Sequence, residues 1–365
     1  MNIRPASFRD MGRIELLYRK AVEDEDSPAQ VSQDSPVPQA TLLRIWSALT
    51  KSITSLVPIT DTSDALLVAD DPSEGVVAFI QAQAPPGRTK AWQILNLCAS
   101  ATAAGHFARQ QLIAALCNAG LERGVHRFHV RLPQGHALLP VFLQEHFTQF
   151  ATEQILYRDD GHGEPPAGGD ALLRLAKRED IPAIHLLYLR TTPSQVVEIE
   201  APTLNAWLAG FAQGDVARLG RDDARHFVLE RPGVVAWAEV RQPSATRPAQ
   251  LVLMCDGHDA ELRDAFIDAV LAELPSGPAA CVLRHYDSEL IRSLQQRGFA
   301  VYGAQLLLVR ELGQRVRLRD TARDKQKKPI LVRAGVAQSV PAVESPVSLH
   351  VLVSRPPRKK RSSRT

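Results

Sequence analysis

The sequence predicts an α/β protein of the α+β type, built from two tandem copies of one unit. The first observation is an internal repeat: Leu173–Tyr188 matches Ile3–Tyr18, which lies 170 residues earlier, with seven identical positions and no gap. The second observation is length, because 365 residues suit two domains within the usual range of about 100–200 residues each. The third is that short apolar strands alternate with amphipathic helices in both copies.

The composition is that of an ordinary globular protein. Hydrophobic residues make up 45% of the chain and charged residues 23%, and no apolar run reaches the ~18–20 residues that cross a bilayer. Because the start of the chain is polar and lacks an apolar signal core, we expect a cytoplasmic location and no membrane partner. The cysteines lie far apart in apolar stretches, which predicts buried thiols rather than a disulfide framework or a zinc site; they are Cys98, Cys117, Cys255 and Cys281.

The first copy begins with a short strand and two helices. Ile3–Pro5 is an apolar strand, and Asp10–Glu23 has Asp at the position of a helix N-cap, followed by apolar residues at helical spacing. Asp24–Gln39 is rich in Asp, Ser, Pro and Gln without periodicity, which predicts a loop. Helical spacing returns over Ala40–Leu56, where we predict the second helix.

A meander and two further strand and helix pairs complete the first copy. Short turns rich in Asp, Pro and Gly separate three strand-like runs, so these runs are predicted to pair antiparallel: Ala65–Ala69, Gly75–Ala84 and Ala91–Ala99. Apolar periodicity then predicts, in order, a helix over Ala108–Gly124, a strand over His126–Leu132, a helix over Gly135–His146 and a strand over Phe150–Tyr157.

The second copy repeats this order. Ala201–Trp207 matches Ala40–Trp46, and Gly233–Ala236 matches Gly75–Ala78. The offset between the copies falls from 170 to 152 residues, as expected when deletions fall in loops. Each copy is therefore predicted to fold its own sheet, in domains over residues 1–158 and 171–312 that a Gly- and Pro-rich linker over 159–170 connects.

Residues 313–365 form a basic tail. The tail has fourteen Lys or Arg against three Asp or Glu, so the formal net charge of +3 divides into +11 on the tail and −8 on the rest of the chain. We predict that the tail is disordered. Its charge suits contact with nucleic acid or another polyanion, and a purely solubilising role is an equal alternative.

Three sequence features point to one family. Ile3–Ala6 reads IRPA and is followed by Asp10, Leu290–Phe299 ends in Gly-Phe, and Asp287 stands twelve residues before Phe299. With the element order, these features resemble the GNAT superfamily of N-acetyltransferases, in which Asn is common at the position of Asp287. The resemblance covers nearly all of the chain except the tail. It implies two tandem GNAT-like domains, each a mixed, mostly antiparallel twisted sheet flanked by helices.

The resemblance also implies acetyl-CoA as the cofactor. In this family two parallel strands splay apart, the last meander strand pairs with the pantetheine, and the N-terminus of the next helix holds the pyrophosphate. The chain departs from the family's phosphate motif, because Ala104 and Phe107 occupy motif positions and only Gly105 lies nearby. The matching cofactor-binding positions of the first copy are Leu97, Cys98, Ala99, Gly105, His106 and Arg109.

The second copy is less suited to a phosphate group. Asp256, Asp259 and Glu261 lie at the entrance of the equivalent helix, where they would repel a pyrophosphate but also suit a helix N-terminus. The resemblance therefore implies transfer of an acetyl group from acetyl-CoA to an amine of a small molecule or peptide, with any activity in the first copy and the second copy degenerate. The alternative is a non-catalytic tandem protein that binds a ligand or partner, with nucleic acid contacted through the tail.

The sequence assigns no catalytic residue. Phe142 and Leu294 replace the tyrosine that often serves as the family's acid, and His126, His129 and His136 lack the spacing of a metal site. Each other candidate has both a functional and an ordinary explanation. Glu239 is either a base or a solvent-facing residue, Tyr286 either an acid or a plain aromatic, and His106 either a base or a loop residue. Cys98 and Cys255 are either reactive thiols or small core residues, and Trp46 and Trp207 either line an acceptor site or pack against the sheet.

Overall fold

The two copies fold into matching series of helices and strands, which are numbered here in chain order. A computed structural model describes residues 1–23, 31–32, 64–85, 88, 90–159, 173–208, 224–243, 248–256 and 259–313. The predicted helix Ala40–Leu56, most of the predicted loop Asp24–Gln39, the linker after Asp159 and the tail after Gly313 lie outside the described residues.

The elements of the first half are β1 Asn2–Pro5, α1 Met11–Glu23, β2 Val31–Ser32, β3 Asp64–Asp71, β4 Gly75–Gln83, β5 Ala91–Ala99, α2 Ala103–Glu122, β6 Arg127–Pro133, α3 Leu139–Gln144 and β7 Thr148–Arg158. Those of the second half are β8 Leu173–Leu175, α4 Ile181–Thr191, α5 Ser194–Glu200, β9 Ala224–Glu230, β10 Val234–Arg241, β11 Ala249–Cys255, α6 Ala260–Ala272, β12 Ala279–Arg284, α7 Ser288–Gln295 and β13 Ala300–Glu311. A short helical segment over 204–208 follows α5.

The matched residues of the repeat build the same local structure twice. Arg4 binds both carboxylate oxygens of Asp10 at 2.7 and 2.8 Å, and Arg174 binds Asp180 with the same two distances. Asp10 also accepts a hydrogen bond from the backbone N–H of Ser7 at 2.7 Å. Asp10 is therefore not the N-cap that the sequence predicted; Ser7 is the cap, and Asp10 closes a capping box at the third position of a 3-10 turn.

Within the described residues, thirteen strands form one continuous sheet in the order β1-β3-β4-β5-β6-β13-β7-β12-β11-β10-β9-β8, with β2 beside β5. All pairs are antiparallel except β5 with β6 and β11 with β12. The prediction of a mixed, mostly antiparallel sheet flanked by helices is confirmed. Among the helices of these residues, none combines the length and apolarity that a membrane span needs.

The last strand of each half pairs with the sheet of the other half. β13 lies between β6 and β7, with Leu306 opposite Leu132, and β7 lies beside β12, with Leu156 opposite Cys281. The expectation that each copy folds its own separate sheet is wrong in this respect. β7 and β13 are the last strands of their halves, and each lies beside a strand of the other half.

The exchanged strands also carry their side chains into the other half's core. Leu306 and Leu308 of β13 pack in the core of the first half, and Leu156 of β7 packs in the core of the second half. Met1–Arg315 accordingly forms one compact unit. The predicted boundaries between two domains stay predictions, but the cores on either side of them are interdependent.

Candidate functional site

Two parallel strands separate in the second half and leave one strand edge open. β11 pairs with β12 only over Ala249–Leu251, opposite Ala279–Cys281. On its other edge β11 stays paired with β10 as far as Cys255. The edge of Val252–Cys255 that faces β12 therefore has no strand partner among the described residues, so its backbone groups are available to an extended ligand.

A cavity of about 310 Å³ opens where these strands separate. This volume lies in the range of small-molecule pockets. The cavity is lined by the free ends of both strands, by α4 and α5, and by the 204–208 segment. Two lining residues, Arg131 and Glu153, come from the first half. The strand exchange therefore makes this cavity a joint product of the two halves.

Glu153 is a buried carboxylate at the centre of this joint surface, with only 4% of its surface exposed. Its oxygens lie 3.2 Å from Arg131 Nε and 3.3 Å from Arg284 Nε, and they accept a hydrogen bond from Gln305. A buried charge of this kind is tolerated only when it is paired. The pairs join β6, β7, β12 and β13 on one face of the sheet.

The same network continues to α5. Arg284 donates a hydrogen bond from Nη2 to Glu200, and the Tyr188 hydroxyl donates one to the other Glu200 oxygen at 2.6 Å. Burial and the neighbouring Glu200 carboxylate raise the pKa of Tyr188, so its phenol stays protonated. Guanidinium and carboxylate groups alternate along this network, which holds one side of the cavity in a fixed geometry.

Two titratable groups at the end of β12 line the cavity beside this network. Burial raises the pKa of Asp287 to about 6, and burial raises the pKa of Tyr286 to about 12. An aspartate with this pKa exchanges its proton near neutral pH, which suits a general base or acid. Tyr286 stays protonated over the same range and remains a hydrogen-bond donor.

Aromatic side chains form the opposite wall. Trp207 packs edge-to-face against both Tyr188 and Trp237, with ring centroids 5.9 Å apart in each pair. The Trp207 indole N–H donates to His185 Nδ1 at 3.0 Å. Trp237 is 4% exposed, and its indole N–H has no partner in the part of the chain that the structure describes. Trp207 thus lines the cavity, whereas Trp46 lies outside the described residues.

The corresponding separation in the first half is covered by the chain itself. β5 pairs with β6 only over Ala91–Gln93, opposite Arg127–His129. Beyond this point the backbone of β2 pairs with the free edge of β5, with Val31 opposite Leu97. The strand edge at which the sequence placed the pantetheine is therefore already hydrogen-bonded to a segment of the protein.

The predicted cofactor residues lie around this covered edge. Leu97 and Cys98 are fully buried, Ala99 is 6% exposed, and they pack into two different clusters of the core. Cys98 is a small core residue, because burial raises the pKa of its thiol far above neutral pH. The assignment of these three positions to a cofactor stays a prediction.

Gly105, His106 and Arg109 lie in the first two turns of α2, which begins at Ala103 rather than at Ala108. A Cβ on Gly105 would lie 2.3 Å from the Ser100 carbonyl oxygen, so this glycine is needed for the fold of its own loop. Arg109 is 5% exposed, and its Nη1 lies 3.1 Å from His106 Nδ1. These three residues are near each other, and their contact with a phosphate stays a prediction.

The equivalent helix entrance of the second half is capped by a carboxylate. Asp259 accepts a hydrogen bond from the Leu262 backbone N–H at 3.1 Å, and Glu261 lies in the first turn of α6. Gly257 and His258 lie outside the described residues. The entrance of α6 is thus acidic, as the sequence predicted.

Comparison with solved structures identifies the architecture. The chain matches a glucosamine N-acetyltransferase region of a fungal multi-domain β-N-acetylglucosaminidase with a TM-score of 0.56, 12% identity, and coverage of 85% of this chain and 38% of that one. It matches a tandem GNAT protein of clavulanic acid biosynthesis with a TM-score of 0.52, 13% identity, and coverage of 86% and 98%. The chain has the tandem GNAT fold.

A third GNAT structure agrees with this assignment. The chain matches a GCN5-related N-acetyltransferase from Sphaerobacter thermophilus with a TM-score of 0.50, 14% identity, and coverage of 85% of this chain and 95% of that one. No protein-family model and no curated protein matches the sequence. The three structures confirm the resemblance to the GNAT superfamily at the level of the fold. The separation of β5 from β6 and that of β11 from β12 are the two splays of this fold.

The GNAT fold places several sequence candidates away from the open splay. Glu239 is not solvent-facing: its side chain is 12% exposed, is bound by Arg241, and lies 3.9 Å from His226, outside the cavity lining. Phe142 and Leu294 are fully buried in the core. Cys255 does line the cavity, but burial raises its pKa to about 12. Within the described ranges no cluster of three or more His, Cys, Asp or Glu side chains is arranged to hold a metal ion.

The network of Arg131, Glu153, Glu200 and Arg284 was missed by sequence reasoning. The available signal was Glu153 itself, an acidic residue in the middle of a predicted strand. Its partners could not be found from the sequence, because they meet only through the exchange of β7 and β13.

Proposed function

We propose that this chain transfers an acyl group from acetyl-CoA to an amine, in the cavity where β11 and β12 separate. The observation that carries the proposal is the edge of Val252–Cys255, which has no strand partner in the described ranges and borders a cavity that Asp287 also lines. The sequence favoured the first half for this activity. The second half is the better candidate because β2 pairs with the equivalent edge of the first half.

The residues at the cavity divide into binding and proton-transfer roles. The free edge of β11 is suited to pair with the amide groups of a pantetheine arm. When bound, acetyl-CoA supplies the acetyl group as a thioester. Asp287, when ionised, would accept a proton from the acceptor amine, and Tyr286, which lines the same cavity, would donate a hydrogen bond or a proton to the thiolate that leaves. The network of Glu153, Arg284 and Glu200 holds the cavity wall in place.

The aromatic wall indicates the kind of acceptor. Tyr188, Trp207 and Trp237 offer flat apolar surface, which suits a small molecule or a peptide side chain that carries the amine. Asp287 lines the same cavity, so its ionised form would bind a protonated amine before taking its proton. We therefore place a small-molecule or peptide amine against this wall.

The alternative is a protein that binds a ligand or partner through the cavity without catalysis. The acidic entrance of α6 favours this reading, because Asp259 and Glu261 oppose the phosphates of CoA. A loss of cofactor binding with retention of the fold would produce this combination. Contact of the basic tail with nucleic acid belongs to this alternative and rests on charge alone.

Binding and turnover measured on the full chain separate these functions. Isothermal titration with acetyl-CoA, followed by a CoA-release assay over a panel of primary amines, is expected to show micromolar binding and amine-dependent release. Val282→Trp, which fills the cavity, is expected to abolish both, whereas Glu74→Gln, on an exposed turn, should change neither. Binding without release for any amine would favour the non-catalytic alternative.

The choice between the two halves has its own test. If the first half carries the cofactor, Arg109→Glu removes acetyl-CoA binding and Val282→Trp leaves it intact. If the second half carries it, the two variants have the opposite effects. Circular dichroism of each variant confirms that the fold is retained, since Arg109 is buried.

A further inference from the structure

A second cavity is separate from the open splay. Both halves contribute residues to its walls. Its volume is about 570 Å³. It lies between the starts of β5 and β6, the end of β13, and the end of α5. The lining residues are Arg88, Lys90, Ala91, His126, Arg127, Ile199, Glu200, Ala201, Thr203, Glu311 and Leu312.

The carboxylates that line this cavity are already engaged. Glu200 accepts hydrogen bonds from Tyr188 and Arg284, which belong to the other cavity. Glu311 is paired with Arg127 at 2.8 Å. Neither carboxylate lies within ion-pair distance of Arg88 or Lys90, and these two cations have no ion pair in the described part of the chain. Among the described residues, the charges of Arg88 and Lys90 are therefore not neutralised by an ion pair.

The backbone holds these two cations in place. The Arg88 backbone N–H donates to the Pro85 carbonyl at 3.0 Å, and the Arg88 carbonyl accepts from the Ala91 N–H at 3.2 Å. The Lys90 carbonyl accepts from the His126 N–H at 2.8 Å. A turn and the residue before β6 thus fix the backbone of both residues before any ligand binds, which lowers the entropic cost of binding.

The opposite wall is fixed by Arg127. Its Nη1 donates to the backbone carbonyls of Glu198 and Ile199 at 2.6 and 2.9 Å, and these carbonyls end α5. Ile199, Ala201 and Leu312 supply apolar surface beside the charged groups. A concave site with an apolar wall and two unneutralised cations suits an organic anion better than an extended polyanion.

Arg88 lies in a desolvated position, which strengthens this reading. Burial lowers the pKa of its guanidinium, and the like charges of Arg131 and Arg284 act in the same direction, while Glu200 opposes them. An anion beside Arg88 would supply the counter-charge that the described residues do not place within ion-pair distance.

We propose that this cavity binds a small organic anion, whose carboxylate or phosphate group is held by Arg88 and Lys90. The site is separate from the splay, although Glu200 borders both cavities. It does not depend on acyl transfer, because none of its cations lines the splay cavity.

Benzoate and phenyl phosphate test the proposal, since they share an apolar ring and differ in the anion. Titration of the full chain at constant ionic strength is expected to show one saturable site for at least one of them and none for neutral benzamide. Lys90→Glu is expected to weaken that binding at least about tenfold, by replacing attraction with repulsion. Lys20→Glu, which makes the same charge change on the exposed face of α1, is expected to have no effect.

Two results would overturn the proposal. One is the absence of saturable binding for both anions. The other is an equal loss of binding in Lys90→Glu and Lys20→Glu, which would show attraction to net charge alone. Because Lys90 is exposed, its substitution leaves the fold intact, and Arg88→Gln provides a second variant whose folding is checked by circular dichroism.

Discussion

Glu153 of β7 and Arg284 of β12 form an ion pair with 3.3 Å between their side chains, across the boundary at which the two halves exchange strands. The pair exists only because the last strand of the first half lies beside a strand of the second half. The ion pair therefore depends on the strand exchange, and both of its residues line the candidate site.

Removing this carboxylate is expected to destabilise the whole protein. Glu153→Ala leaves Arg131 and Arg284 partly buried beside an empty position, which costs about 3 kcal/mol. Glu153→Gln retains the volume and is expected to cost less. Urea unfolding at pH 7 measures both, with Glu74→Gln as the exposed control. A free energy of unfolding for Glu153→Ala within error of wild type contradicts the buried network.

The strand exchange predicts that neither half folds alone. A fragment of residues 1–158 has a gap between β6 and β7 that β13 fills in the intact chain. It also lacks Leu306 and Leu308 of its core. We expect fragments 1–158 and 171–312 to aggregate or dimerise when expressed separately, and to assemble when expressed together. Analytical ultracentrifugation decides; a stable monomer of residues 1–158 with cooperative unfolding is incompatible with the exchange.

The Arg4–Asp10 pair predicts a specific loss of stability in acid. The Arg4 guanidinium lowers the pKa of Asp10 from 3.8 to about 2 in the folded protein. Because the folded pKa is depressed, the contribution is fully present above about pH 4 and is lost as the pH falls toward 2; it amounts to about 2 kcal/mol. Asp10→Asn should flatten the dependence of unfolding free energy on pH in this window. An unchanged slope contradicts the assignment.

Ionisation of Asp287 is expected to increase activity and to lower stability. Its pKa is raised to about 6, so acyl transfer should increase as the pH rises through about 6 and the base ionises. Because the folded pKa is raised above the ordinary value of 3.8, stability should fall as the pH rises from about 4 to about 6, and the full cost remains above that pH. Asp287→Asn should therefore lose activity at pH 7.5 and gain stability. Parallel measurement of CoA release and thermal midpoint checks both; a variant that keeps its activity excludes Asp287 as the base.

On the proposed function, the acidic entrance of α6 is expected to weaken CoA binding by repelling its phosphates. Asp259→Asn keeps an N-cap, and with Glu261→Gln it removes two negative charges from the helix N-terminus. At about 0.3–1 kcal/mol for each charge, the double variant should bind CoA about threefold to thirtyfold more tightly, and pantetheine without phosphates should bind unchanged. Calorimetry compares the two ligands. An equal gain in affinity for CoA and for pantetheine would show that the two carboxylates do not act on the phosphates.

Sequence periodicity and the internal repeat predicted much of the fold because they record local interactions. The Arg4–Asp10 and Arg174–Asp180 pairs connect residues six positions apart, so the repeat itself contains them. The candidate site was predicted less well. Its network joins residues from β6, β7, β12 and α5, whose proximity depends on strand pairing over long sequence distances.

By itself the sequence showed an internal repeat, predicted an order of elements that agrees with the GNAT fold, and placed acidic residues at the helix entrance that includes Asp259. Only the tertiary structure decided which partner each final strand takes and which splay remains open. The physical reason is that β7 and β13 hold equivalent positions at the ends of their halves, so their place in the chain does not tell which strands each will pair with. The choice depends on the three-dimensional arrangement of the halves, which no local pattern records.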